Sequence, residues 1–200
     1  MGLNGTANEL GLTGTNLWVY PGPDHDANLR RFLTDPHAEL PLVYISFPPA
    51  KDPTFEQRFP GRATIDVICM VPYEGFSRWD GSRWKKRGGE HEALKQQFAD
   101  RLLDVLYQHV PSVQGPVAHA ELSTPLSTRH FANYAKGEIY GLAHTPRRFE
   151  LRCLGPRTPD RHLIFTGQDT AVCGIMGAVV GGILAASTVL KKNLFKVVSR

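Results

Sequence analysis

Cysteine is scarce in this chain: only Cys69, Cys153 and Cys173 occur, an odd number at wide spacing. That argues against a disulfide framework and suits a reducing compartment, with the thiols expected as buried packing groups. Charge of one sign is not concentrated either. The formal net charge is +4 and the pI about 9.1, without the long basic blocks of a nucleic-acid arm, so no nucleic-acid partner is expected. The eight histidines show no His-x-x-x-His or His/Cys pairing at ligand spacing, and no metal is expected. Ser123 and Ser127 lie outside any G-x-S-x-G elbow, which leaves hydrolase chemistry unsupported. Near Met1 there is no charged stretch followed by an apolar core, so no secretory signal is expected and a cytoplasmic location is the reading. Gly2-Leu-Asn-Gly5 and Gly11-Leu-Thr-Gly14 lack both the spacing and the preceding strand of a G-x-G-x-x-G dinucleotide turn.

What remains has the composition of a folded domain, with 42% hydrophobic and 21% charged residues. Gly14 to Tyr20 and Leu42 to Phe47 are rich in β-branched and aromatic residues and are bounded by prolines, which predicts strands. Residues 63 to 71 alternate, placing Ala63, Ile65, Val67, Cys69 and Val71 on one face and Thr64, Asp66, Ile68 and Met70 on another that could border a ligand cavity. Between Glu92 and His109 the period changes. Leu94, Phe98, Leu102, Val105 and Leu106 form a helical stripe that Pro111 ends. Val117 to Leu122 predicts a further strand; Pro125 is expected to stop regular structure, with Ser127 capping a short helix through Ala135. The whole implies a largely antiparallel sheet with covering helices over about residues 14 to 125.

The C-terminal run carries the sharpest signal. Leu163, Ile164 and Phe165 have the character of a strand covered on both faces, and Gly167-Gln168-Asp169 that of a tight turn ending in a carboxylate. An apolar, glycine-dotted helix from Ala171 to Ser187 follows. In that order Asp169 could accept hydrogen bonds from ribose or ribityl hydroxyls, while helix N-terminal amides near Gly174, Ile175, Met176 and Gly177 face a pyrophosphate. Two other readings stay open. Residues 171 to 190 carry no charge and precede Lys191 and Lys192, as in a membrane tail anchor of an interaction protein; or small residues merely let a core helix approach a sheet.

Glu121-Leu-Ser-Thr-Pro-Leu-Ser-Thr128, Tyr134, Gly137, Tyr140-Gly141, Leu154-Gly-Pro-Arg-Thr-Pro159 and Thr166-Gly-Gln-Asp169 together resemble the C-terminal part of the phytoene desaturase, carotenoid isomerase and retinol saturase family of FAD-dependent oxidoreductases, within the amine oxidase superfamily. The likeness extends upstream through Ile45-Ser-Phe-Pro-Pro-Ala-Lys-Asp-Pro53 and Pro72-Tyr-Glu-Gly-Phe-Ser-Arg-Trp79, and is nearest the retinol saturase-like branch. The resemblance implies an α+β substrate-domain portion over residues 1–141. It also implies a 142–200 segment supplying the C-terminal strand and helix of an incomplete Rossmann-like α/β FAD domain. It implies FAD as cofactor, with Gly167, Gln168, Asp169, Gly174, Ile175, Met176 and Gly177 as cofactor-binding residues. The implied reaction moves a hydride equivalent to or from a carbon–carbon bond of a lipophilic carotenoid or retinoid, and no residue is singled out as catalytic. The family's N-terminal G-x-G-x-x-G half is missing, so the chain is expected to be a fragment that binds FAD weakly or not at all without it. His130, Tyr134 and Tyr140 could line a substrate cavity or simply pack, and Cys173 beside the turn is read as packing. Arg78 to Arg87, with Trp79 and Trp84, is read as a solvated loop with two anchoring indoles; a peripheral membrane contact is the alternative.

Overall fold

The computed structural model describes residues 1–198. Its strands are β1 (Gly2–Asn4), β2 (Leu17–Val19), β3 (Val43–Ser46), β4 (Arg62–Thr64), β5 (Asp66–Cys69) and β6 (Val117–His119). Its helices are α1 (His25–Thr34), α2 (Phe55–Arg58), α3 (Gly89–His109), α4 (Pro125–Ala132), α5 (Pro146–Glu150), α6 (Gly174–Leu190) and α7 (Phe195–Val198). The chain divides into two compact units, Met1–Phe131 and Ala132–Arg200.

The first unit holds two three-stranded antiparallel sheets, ordered β4-β1-β6 and β2-β3-β5, where one sheet beginning near residue 14 was expected. Leu3, at the centre of the first sheet, stands opposite Ala63 and Val117; Ile45, at the centre of the second, stands opposite Leu17 and Val67. The alternation over 63–71 is borne out face by face: Ala63 and Ile65 are buried, Val67, Cys69 and Val71 half-buried, and Asp66, Ile68 and Met70 exposed. It is not one strand, however. The run breaks at Ile65, whose N–H donates to the Met1 carbonyl, and its halves join different sheets. Of the mixed face, Thr64 lines a cavity of about 260 Å³ beside Phe55 and Phe59.

Helix α3 packs on β3 and β5 through the stripe its period marks, with Phe98, Leu102 and Leu106 buried. Arg101, on the same helix, donates to the carbonyls of Pro36 (2.7 Å) and Ala38 and lies over the Phe32 and Phe98 rings, tying α3 to the segment after α1. The helix ends at Val110, and Pro111 opens a 3-10 turn, as the sequence implies. At α4 the expectation is corrected. Pro125 starts the helix instead of ending structure, because a first-turn N–H has no intrahelical partner and its loss costs nothing there. Ser127 therefore lies inside the first turn. Its Oγ accepts from the Thr124 N–H at 3.1 Å, the backward half of a capping box.

In the second unit Leu163–Phe165 does not form a strand buried on both faces. Ile164 makes one antiparallel bridge with Arg157, and Leu163 and Phe165 are half-exposed. A short apolar run becomes a strand only when neighbouring strands take up its backbone groups, and Arg157 is the single bridge partner among the described residues. Of the three thiols expected as buried packing groups, that of Cys69 is largely buried against the apolar core, while Cys173 is half-buried and Cys153 is exposed.

Candidate functional site

The site expected from the sequence is built by one turn and one helix start. Gly167 has φ +90°, a conformation that side chains resist, and it leads into the 3-10 turn Gln168–Thr170. The small-residue face of α6 packs directly on that turn. A β-carbon on Gly181 would meet the Gly167 carbonyl and lie 2.6 Å from Thr170 Oγ1, and one on Gly177 would overlap the Val172 carbonyl. These glycines are thus explained by close packing of α6 on a turn, where the sequence reading has small residues bringing a core helix onto a sheet.

Gln168 clamps the junction from both ends of its amide. Nε2 donates to the Tyr134 hydroxyl at 2.9 Å, and Oε1 accepts from the Gly174 N–H at 2.8 Å, satisfying one of the orphan donors of the α6 N-terminus. The Cys173 N–H donates to His144 Nε2 at 3.0 Å. Asp169 Oδ1 accepts from the Leu142 N–H at 3.0 Å, and its side chain stays 45% exposed. Gly141, φ +67°, lies so close to that carboxylate that a β-carbon would strike it.

Behind these groups lies Arg148, which no motif or spacing separates from Arg147 or Arg152. It is 5% exposed. Its guanidinium donates to the carbonyls of Leu142 (2.5 Å), Gln168 (3.3 Å) and Asp169 (3.4 Å) and stands 3.9 Å from Asp169 Oδ1. It locks the Gly141–Leu142 segment to the acidic turn. No sequence spacing distinguishes a buried arginine from a solvated one, so this role shows only in the folded chain.

Of the expected cofactor residues, Gly167, Gln168, Asp169 and Gly174 are therefore brought together. Ile175 and Met176, in the first turn of α6, are 84% and 70% exposed, and Gly177 is buried against Val172. That turn carries no acidic side chain that would repel an anion. Tyr134 belongs to the clamp, Tyr140 is exposed, and His130 stacks on Trp84 with ring centroids 4.9 Å apart. Trp79 and Trp84 are half-buried anchors of the basic loop. Among the described residues no group of three or more His, Cys, Asp or Glu could hold a metal, and no helix is long and apolar enough to cross a membrane.

No family model matches the chain, and no solved structure matches it. Curated proteins do. All-trans-retinol 13,14-reductase of Homo sapiens is 34% identical over 200 residues, and that of Rattus norvegicus 35% identical over 200 residues; each match covers 96% of this chain. A Danio rerio protein named inactive all-trans-retinol 13,14-reductase is 32% identical over 204 residues and 96% of this chain. The chain spans about one third of the length of each of these relatives (33%). Over that shared third it belongs to the retinol saturase family, the branch its separated motifs resemble.

Proposed function

We propose that this chain is a C-terminal portion of an FAD-dependent oxidoreductase that moves a hydride equivalent to or from a carbon–carbon bond of a lipophilic polyene of retinoid type. The observation that carries the reading is the match along 96% of the chain to proteins named as retinol reductases. A carotenoid substrate, which the motifs alone leave open, finds no counterpart in those names. The relative named inactive matches nearly as well, so turnover has to be assayed in this protein itself.

The donor set fits one wall of a flavin site. Asp169 keeps an exposed carboxylate edge for a ribityl hydroxyl, Gly167 leaves room for close backbone approach, and Gln168 orients the turn against Gly174. The first turn of α6 offers an exposed, positive helix end to a pyrophosphate or to an anionic reduced ring. Ile175 and Met176 supply apolar contact there, and Gly177 serves by letting α6 sit down on the turn. Bound FAD would supply the redox step, accepting or giving the hydride equivalent, while this chain orients it and excludes water. The remaining two thirds of the protein, with its own dinucleotide-binding half, would supply the opposite wall.

The test is the chain expressed with its in-frame upstream coding sequence, purified and examined by visible absorption. The expected result is a flavin spectrum that survives gel filtration, and retinol-dependent change in that spectrum. Folded protein without flavin contradicts the reading.

A further inference from the structure

The two faces of the β2-β3-β5 sheet are unlike. Leu17, Val19, Val43, Ile45, Val67 and Cys69 pack into the apolar core, and α3 lies against β3 and β5. The alternate residues stand on the opposite face, where the register sorts them into rows. Trp18, Tyr44 and Ile68 are opposite one another across the three strands, with the Trp18 and Tyr44 rings 4.7 Å apart. Past the paired stretch, Tyr20, Leu42 and Met70 continue that face by period two. Trp18 is 58% exposed, Met70 53% and Ile68 45%.

On the other flank of the aromatic row the face turns polar. Ser46 stands opposite Asp66, and Lys51, the last residue of the 3-10 helix Pro48–Lys51, donates from Nζ to Ser46 Oγ at 2.9 Å and to Asn16 Oδ1. Ser46 is itself buried. An ammonium carries three N–H donors, so these two bonds leave one for an oxygen arriving at this end.

The face therefore runs from polar to aromatic to apolar along the strands. Four residues separate the rows of Asp66 and Met70, about 13 Å of strand, and three strands span about 10 Å. That footprint, on the order of 130 Å², is far below the roughly 800 Å² that each partner gives to a standard protein interface. A small molecule fits it instead, since ligand sites combine an apolar lining with a few placed polar groups.

We propose that this sheet face binds an elongated, unsaturated hydrocarbon ending in a hydroxyl, with the hydroxyl oxygen on Lys51 and the chain lying over Trp18, Tyr44 and Ile68. The inference rests on the retinoid part of the functional reading, gives that substrate a place on this chain, and uses none of the flavin-turn residues.

The test uses the protein expressed with its in-frame upstream coding sequence and reads retinol binding by the fluorescence anisotropy of retinol. Ile68→Asp, which puts a charge on the apolar stretch, should weaken binding by about tenfold or more. Lys51→Met should weaken retinol by about three- to tenfold, the loss of one hydrogen bond, and leave anhydroretinol, a hydrocarbon without the hydroxyl, bound as before. In Ile68→Cys, position 68 should react with a maleimide in the free protein, located by peptide mass spectrometry, and be protected by saturating retinol. No reaction in the free protein would show that other polypeptide covers the face, and it overturns the proposal. So do undiminished reaction under saturating retinol, absence of saturable retinol binding, and a Lys51→Met variant that binds both probes as the parent does or loses both alike. Should Ile68→Asp not fold, the Lys51→Met comparison decides, because that exposed side chain lies outside the core. Protection at position 68 in protein that carries no flavin contradicts the flavin reading alone; flavin-loaded protein without protection contradicts this proposal alone.

Discussion

The two units are held together by different means. In Met1–Phe131 a continuous apolar cluster runs from Leu3 and Phe32 through Ile45, Ile65 and Phe76 to Leu106 and Leu126. In Ala132–Arg200 the one buried apolar side chain among the described residues is Ala185, while Ile139, Leu142, Phe149, Ile175, Met176 and Val179 are exposed. Order there comes from glycine-close packing of α6 on the 167–170 turn and from the Arg148 and Gln168 hydrogen bonds. The first unit carries its own hydrophobic stabilisation. The second places polar groups and leaves its apolar surface open, which on the proposed reading faces the flavin and the rest of the enzyme.

The contrast breaks most sharply at Phe32. Phe32→Ala removes a fully buried ring and should cost about 3–5 kcal/mol, read as an earlier urea transition by tryptophan fluorescence. Trp18, Trp79 and Trp84 all lie in the first unit, so that signal reports it alone. Arg148→Met should do the reverse: it leaves that transition in place and raises hydrogen exchange at 167–171, by about 1–3 kcal/mol of lost protection, because three carbonyls lose their donor. Gly181→Ala should act in the same unit at about 1–3 kcal/mol, since its β-carbon meets backbone that must shift. A change in the fluorescence transition by either second-unit variant would show that the units are not separate in stability.

The smallest effect is chemical. Burial pushes the Cys69 thiol up to about 11, so Cys153, which is exposed, should be alkylated at pH 8 while Cys69 stays protected. The sign follows from the neutral thiol being the favoured form: the contribution is complete below the ordinary cysteine range and is lost as pH rises toward about 11. Equal labelling of both residues at pH 8 would mean that β5 opens readily.

How much could be read from residues alone divides along similar lines. The α3 stripe was legible because Phe98, Leu102 and Leu106 repeat at four over a long element, and the face alternation of 63–71 because period two survives a break between sheets. Helix α1 has no comparable mark: its buried pair is Asn28 and Phe32, and a single aromatic is no stripe, although Asp24 accepts from the Ala27 N–H as an N-cap should. At the site, the Gly167 turn and the presence of a helix after it were legible from glycine and composition, although α6 begins at Gly174 and not at Ala171. Leu142, His144 and Arg148 were not, because they act through backbone groups and burial that leave no mark on spacing.

The central claim is that the Gly167–Asp169 turn grips a flavin, and Asp169→Ala tests it most directly. In the longer, flavin-loaded protein, the FAD dissociation constant should rise by about 10- to 150-fold, the loss of one charge-assisted hydrogen bond to a buried hydroxyl. An unchanged constant in a folded variant would contradict the account.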